Sequence, residues 1–231
     1  MKQAVFLDKD GTLIEDIPYN VDPDKIRLVP GAGGALRAMQ HAGYELIVIT
    51  NQSGVARGYF REQALEDVEA RLRQLLSSEG VLLAGFYYCP HHPDGSVSRY
   101  AANCWCRKPA PGLLYRAAID QKIHLGSSWF VGDILNDVEA GRRAGCRTVL
   151  VDNGGETEWE LSTLRRPHYV VDSLVSAADV IVGIRGGAEV QEVALRDLVA
   201  RAYAHVAPGD AAAGPRPRWV VHAADPAGER A

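Results

Sequence analysis

The chain is 231 residues long, 47% apolar, and carries a net charge of -4. That length suits one α/β domain with an appendage, and a negative balance removes the usual electrostatic reason to expect a nucleic-acid partner. The N-terminal MKQAVFLDKDG has no charged segment followed by a long apolar one, so no signal peptide is read. The apolar runs fall well short of the roughly 18–20 residues a membrane span needs. A soluble, cytoplasmic monomer with no membrane partner is expected.

The predicted elements alternate. Gln3–Leu7 is a short apolar run ending at Asp8 and reads as a buried strand. Gly33–Ala42 reads as a helix stopped by Gly43. Glu45–Ile49 is a second buried strand, ending at Thr50. Glu62–Ser78 sets Ala64, Leu65, Val68, Leu72, Leu75 and Leu76 on one helical stripe. Phe86–Tyr88 reads as a third strand, leading into a loop of cysteines and histidines. A helix begins at Pro111, Trp129–Gly132 is a strand ending at Asp133, Asp137–Ala144 is helical, and Arg147–Asp152 is the next strand. Residues 1–186 form the expected domain. Beyond it, Ala188–Ala204 reads as one more helix, and Ala207–Ala231 as a tail rich in Pro, Gly and Ala.

Apolar strands alternating with helices predict an α/β, Rossmann-like, doubly wound parallel sheet with helices on both faces. Such sheets bind ligands beyond the carboxyl ends of their strands. Asp8, Thr50 and Asp133 each fall at such an end, on three different strands.

The chemistry of these positions points one way. Asp8-Lys9-Asp10-Gly11-Thr12 offers two carboxylates at a tight turn. The first can attack phosphorus and form an aspartyl-phosphate. The second can protonate the leaving oxygen and then activate water. Two anions facing a phosphate dianion need a hard cation, and magnesium fits; Asp133 supplies a third carboxylate for it, with Asp137 behind. Thr50-Asn51-Gln52-Ser53-Gly54 supplies a hydroxyl, amides and backbone N–H groups suited to phosphoryl oxygens. Lys108 can stand as a fixed cation beside the phosphoryl group, and Arg107 can grip a second anion bidentately.

Cys89, Cys104 and Cys106 fall in one loop with His91 and His92. In a reducing compartment this clustering favours a metal over disulfides. Three thiolates and one imidazole make a closed tetrahedral set for structural zinc, with His91 and His92 both available as the fourth ligand. Cys146 stands apart in an apolar run and reads as a small buried side chain.

The ordered segments VFLDKDGTL, VITNQSG, CRKPAPG and VGDILND resemble the haloacid-dehalogenase superfamily over roughly residues 3–183. The pair CPHH and CWCRKP is similar to its zinc-loop subgroup, which has no large cap domain. The resemblance implies Asp8 as nucleophile, Asp10 as general acid/base, and Thr50 and Lys108 as stabilisers of the phosphoryl group. It implies magnesium on Asp8, the backbone carbonyl of Asp10, and Asp133, and zinc on Cys89, His91, Cys104 and Cys106. It assigns substrate contact to Asp16, Ile17, Pro18 and Tyr19, with Asn51, Gln52, Ser53 and Arg107. The implied reaction is hydrolysis of a small phosphorylated sugar, foremost the 7-phosphate of a heptose 1,7-bisphosphate, with histidinol phosphate as the alternative. Ile134 departs from the subgroup, whose heptose enzymes carry a lysine there.

Overall fold

A computed structural model describes residues 1–185 and, separately, Asp197. The expected helix at 188–204 and the tail at 207–231 lie outside the described residues, apart from Asp197, which is helical.

Six strands form one parallel sheet: β1 (Gln3–Leu7), β2 (Tyr44–Asn51), β3 (Leu83–Cys89), β4 (Trp129–Gly132), β5 (Arg147–Val151) and β6 (Tyr169–Val171). Their order is β3-β2-β1-β4-β5-β6. Among the described residues four α-helices lie between strands, α1 (Ala32–His41), α2 (Ala64–Ser78), α3 (Gly112–Gln121) and α4 (Leu135–Arg143), and α5 (Leu174–Arg185) follows β6. The chain winds outward from β1 to β3, then returns to the other side of β1 at β4. The crevice opened by this reversal lies at the carboxyl ends of β1, β2 and β4.

Alternation along the strands builds two cores. Val5, Leu7, Leu46, Val48, Trp129, Val131 and Val149 face one side with Leu36 of α1, Leu72 of α2 and Ile181 of α5. Ala4, Phe6, Ile47, Ile49 and Phe130 face the other with Leu114 of α3 and Ala140 of α4. Burial on both faces is why the strands read as continuous apolar runs. The doubly wound α/β expectation is met, and no separate cap domain is present among the described residues.

The elements differ from the sequence reading at their edges. β3 spans Leu83–Cys89, not Phe86–Tyr88, so Cys89 itself ends a strand. Small residues at Ala84 and Gly85 hide that extension. α2 starts at Ala64, because Arg61–Gln63 first make tight turns to the amides of Ala64, Leu65 and Glu66. α4 starts earlier than read, at Leu135. Its N-terminus is satisfied locally: the Asp137 carboxylate accepts from Ile134 N at 3.3 Å, and Glu156 accepts from Leu135 N at 2.5 Å.

Candidate active site

Asp8 is the first residue past β1, and its own amide donates to Val131 O at 2.9 Å. This bond ties the end of β1 to β4 and holds the Asp8 backbone beside Asp133. The chain then turns tightly: Leu13 N and Ile14 N both donate to Lys9 O at 3.0 Å. Gly11 makes the turn possible. Its φ is +77°, and a Cβ there would lie 2.2 Å from Asp133 Oδ2.

Lys108 reaches this point from the loop between β3 and α3. Its ammonium donates to Asp8 Oδ1 at 2.6 Å and to Ile49 O at 3.1 Å. It also lies 2.6 Å from Asp137 Oδ1 and 5.6 Å from the Phe130 ring centroid. Only 2% of Lys108 is exposed. Burial alone would pull its pKa down, but Asp137 and Asp8 outweigh this and hold it above the ordinary lysine range.

The carboxylates respond in the opposite sense. Burial pushes Asp8 up to about 7; Lys108 opposes this, while Asp137 and Asp10 add to it. Burial also pushes Asp133 up to about 8, reinforced by Asp8 and Asp137. Asp137 is raised by burial against the pull of Lys108. Three buried carboxylates thus face one buried ammonium. Oxygens of Asp8, Asp133 and Asp137 come within 4.8 Å of one another. This surplus of close negative charge on hard oxygen donors fits a divalent cation such as magnesium. Asp137 is already engaged by Lys108 and Ile134 N, which leaves Asp8 and Asp133 as the better side-chain donors.

Asp10 points elsewhere. Its carboxylate takes Lys9 Nζ at 2.5 Å and Gln52 Nε2 at 3.1 Å. The same Gln52 amide donates to Thr50 Oγ1 at 2.9 Å. Gln52 therefore joins the two turns that follow β1 and β2, with the Thr50 hydroxyl kept available as a donor. A cavity of about 160 Å³ opens beside Asp10, walled by Lys9, Asp16, Tyr19, Gln52 and Ser53 among others.

Of the expected substrate contacts, Asp16 and Tyr19 line this cavity and Ile17 and Pro18 do not. Asn51 also lines it, yet its amide is spent in another way. Asn51 Nδ2 donates to Lys108 O at 3.1 Å, and Lys108 N donates to Asn51 Oδ1 at 3.0 Å. The side chain is a clamp on the lysine backbone. Arg107 faces a second cavity of about 440 Å³, with His92, Pro109 and Arg143. Its guanidinium is 3.4 Å from His91 O. Burial lowers its pKa, and the nearby Arg57 lowers it further.

The cysteine loop gathers as expected. The Sγ atoms of Cys89, Cys104 and Cys106 stand 3.1 to 3.5 Å apart. His91 Nδ1 lies 3.5 Å from Cys106 Sγ and 3.8 Å from Cys89 Sγ. Zinc–sulfur bonds of about 2.3 Å imply tetrahedral edges somewhat under ~4 Å, so the four donors fit a zinc ion. His92 is turned away, with Nε2 3.0 Å from the Arg57 guanidinium. Cys146 is buried and isolated from the cluster.

Three features were not read from the sequence: the pairing of Lys108 with Asp137, the Asn51 clamp, and the cover over Asp133. Asn153 Nδ2 donates to Gly11 O at 2.6 Å, and a Cβ on Gly155 would lie 2.2 Å from Asp133 Oδ2. The glycine pair Gly154-Gly155 was the only signal that backbone passes closely there.

Comparison with known proteins agrees with this geometry. The HAD-hydrolase-like family model matches residues 105–177. D-glycero-β-D-manno-heptose-1,7-bisphosphate 7-phosphatase of Pasteurella multocida is 38% identical over 186 residues, covering 80% of this chain and all of that one. The enzyme of the same name from Haemophilus ducreyi is 44% identical over 155 residues, 66% of this chain and 85% of that one. The crystal structure of a D,D-heptose 1,7-bisphosphate phosphatase from B. bronchiseptica, complexed with magnesium and phosphate, superposes with a TM-score of 0.66 at 29% identity, covering 79% of this chain and 99% of that one. Sequence identity sustained at this level over four-fifths of the chain, on a sheet that brings the expected acids together, places it within one family: this chain belongs to the haloacid-dehalogenase-like phosphatases, in the family that includes the heptose-1,7-bisphosphate 7-phosphatases.

Proposed function

We propose that this chain removes the 7-phosphate of D-glycero-D-manno-heptose 1,7-bisphosphate through an aspartyl-phosphate. The observation that carries the reading is the meeting of Asp8, Lys108 and Asp133 beside a cavity walled by Asp10 and Gln52, in a chain whose relatives bear that activity in their names.

Asp8 attacks phosphorus as the bond to the sugar oxygen breaks, and Asp10 gives that oxygen its proton. Asp10 then takes a proton from water, whose oxygen attacks the same phosphorus and releases Asp8. Lys9 and Gln52 fix the direction of the Asp10 carboxylate for both transfers. Lys108 and the Thr50 hydroxyl stand where charge builds on the phosphoryl oxygens. Magnesium held by Asp8, Asp133 and the Asp10 carbonyl would supply charge neutralisation when bound. Zinc on Cys89, His91, Cys104 and Cys106 would have no open position and a purely structural role. Arg107, with Arg57 near it, gives the second phosphate of a bisphosphate a cationic side.

The test is phosphate release from both anomers of the heptose bisphosphate and from histidinol phosphate, compared by kcat/KM with and without magnesium. A preference for histidinol phosphate, or turnover indifferent to magnesium, would overturn the reading.

A further inference from the structure

Two exposed aromatic rings meet at the rim of the phosphate cavity. Tyr19 comes from the loop after β1 and lines that cavity. Tyr59 comes from the loop after β2 and lies outside every segment that suggested chemistry in the sequence. Their ring centroids are 4.6 Å apart with an interplanar angle of 80°, an edge-to-face contact.

Tyr19 is presented at some conformational cost, and Tyr59 by a glycine turn. Tyr19 has φ 57°, the left-handed region that residues with a Cβ rarely adopt. Its loop is turned by Asn20 N donating to Ile17 O at 3.1 Å. Tyr59 follows Gly58, whose φ is +74°, and its amide donates to Gly54 O at 2.9 Å. That bond anchors Tyr59 to the same turn that carries Thr50 and Gln52. Yet 50% of Tyr19 and 60% of Tyr59 remain exposed. Two large rings held together and left open to solvent, one in a strained backbone, bury little for the fold's benefit.

We infer that Tyr59 is a positioning residue for the sugar: it braces Tyr19 edge-on, so that Tyr19 offers a fixed aromatic wall to the ring of the substrate. This rests on the sugar-bisphosphate reading above. The brace acts on the part of the ligand beyond the phosphoryl group. A phosphoryl group bound alone is expected to be indifferent to it.

The experiment compares Tyr59→Ala and Tyr59→Phe with the unaltered enzyme on the heptose bisphosphate, with inorganic phosphate as a competitive inhibitor. An edge-to-face pair of this kind is worth about two- to tenfold in an equilibrium. Tyr59→Ala is expected to raise KM by about that factor, keep kcat within about twofold, and leave the phosphate inhibition constant unchanged. Tyr59→Phe, which keeps the ring edge, should restore KM. Unchanged KM in Tyr59→Ala, or a parallel rise in the phosphate inhibition constant, overturns the inference alone. An unaltered enzyme that does not hydrolyse the heptose bisphosphate overturns the sugar reading and this inference with it.

Discussion

As the proposed nucleophile, Asp8 must be an anion to attack phosphorus, in a place that burial makes costly for an anion. Lys108 offsets part of that cost, and a cation between Asp8 and Asp133 would offset the rest. A linkage follows. Asp8 and Asp133 have folded values of about 7 and about 8, both above the ordinary 3.8. Their contribution to the metal-free fold is therefore full below about pH 4 and is lost as pH rises through 7 to 8. Cation binding reverses this, because it requires both carboxylates ionised. Apparent magnesium affinity, measured by titration calorimetry or by the magnesium-dependent rise in Tm, is expected to strengthen from pH 6 to 8.5, with proton release on binding near pH 7. A pH-independent affinity would contradict the buried-carboxylate account. Asp8→Asn removes the nucleophile in a nearly isosteric way, and turnover should fall below about a hundredth of normal. Circular dichroism should show the fold intact; a variant that still turns over at a tenth of the normal rate would argue against a covalent intermediate on Asp8. The acids were legible in the sequence because each sits where an apolar run stops. The partners of Lys108 were not. Asp137 and Asn51 meet it only through the folded sheet, and a run of residues carries no sign of such contacts.

Among the elements, the loop from 89 to 108 is held by two different kinds of anchor. Its base ends in the Cys104–Cys106 pair and in Lys108, which Asn51 clamps. Its tip is fastened without any metal. Val97 N donates to Ala56 O at 2.9 Å, Ser96 Oγ donates to Arg57 O at 2.9 Å, and the Tyr100 hydroxyl bonds to the Glu62 carboxylate just before α2, which also takes the hydroxyl of Tyr88 on β3. The gathering of the three cysteines was legible from their spacing, with His91 preferred to His92 only through the family resemblance, whereas the tip fastening depends on a helix start that sequence reading placed at Glu62 itself. Loss of zinc, by chelation or by Cys104→Ser, should therefore loosen the base and spare the tip. Hydrogen exchange is expected to rise at 101–107 while 95–100 stays protected. With Arg107 and Lys108 displaced by about 1 Å, kcat/KM should fall on the order of 10²-fold. Magnesium affinity should hold, because Asp8 and Asp133 are fixed by strand ends rather than by the loop. Full activity in the zinc-free variant would remove the structural role from the metal.

For the molecule as a whole, the reversal of strand order around β1 decides where the chemistry sits. Periodicity and apolar runs were enough to read the parallel sheet and its covering helices, because both faces of a doubly wound sheet are buried and every strand is apolar along its length. β6 and α5 fall together in VVDSLVSAADVIV, a mostly apolar run in which Asp172-Ser173 marks the joint. α5 nevertheless completes the domain. Ala177, Ala178 and Ile181 are buried in the core with Leu36 and Met39 of α1, and a Cβ on Gly31 would lie 2.5 Å from Val175. The domain boundary read at Gly186 can be tested on this basis. The six strands and the two cores seen among the described residues, and each candidate site residue, fall within 1–185. A chain ending at Gly186 keeps α5 entire, and is expected to fold with a Tm within about 4 °C of the full chain, the shift that about 1 kcal/mol produces at this size. Its kcat/KM should stay within about twofold. A chain ending at Ser173 removes α5, uncovers the α1 face and should not fold cooperatively, since losing several buried side chains at about 1.5–3 kcal/mol each exceeds a typical stability margin's tolerance. If the Gly186 chain instead loses more than tenfold in kcat/KM while its Tm is unchanged, residues 187–231 take part in the site, and the boundary between phosphatase domain and extension is wrong.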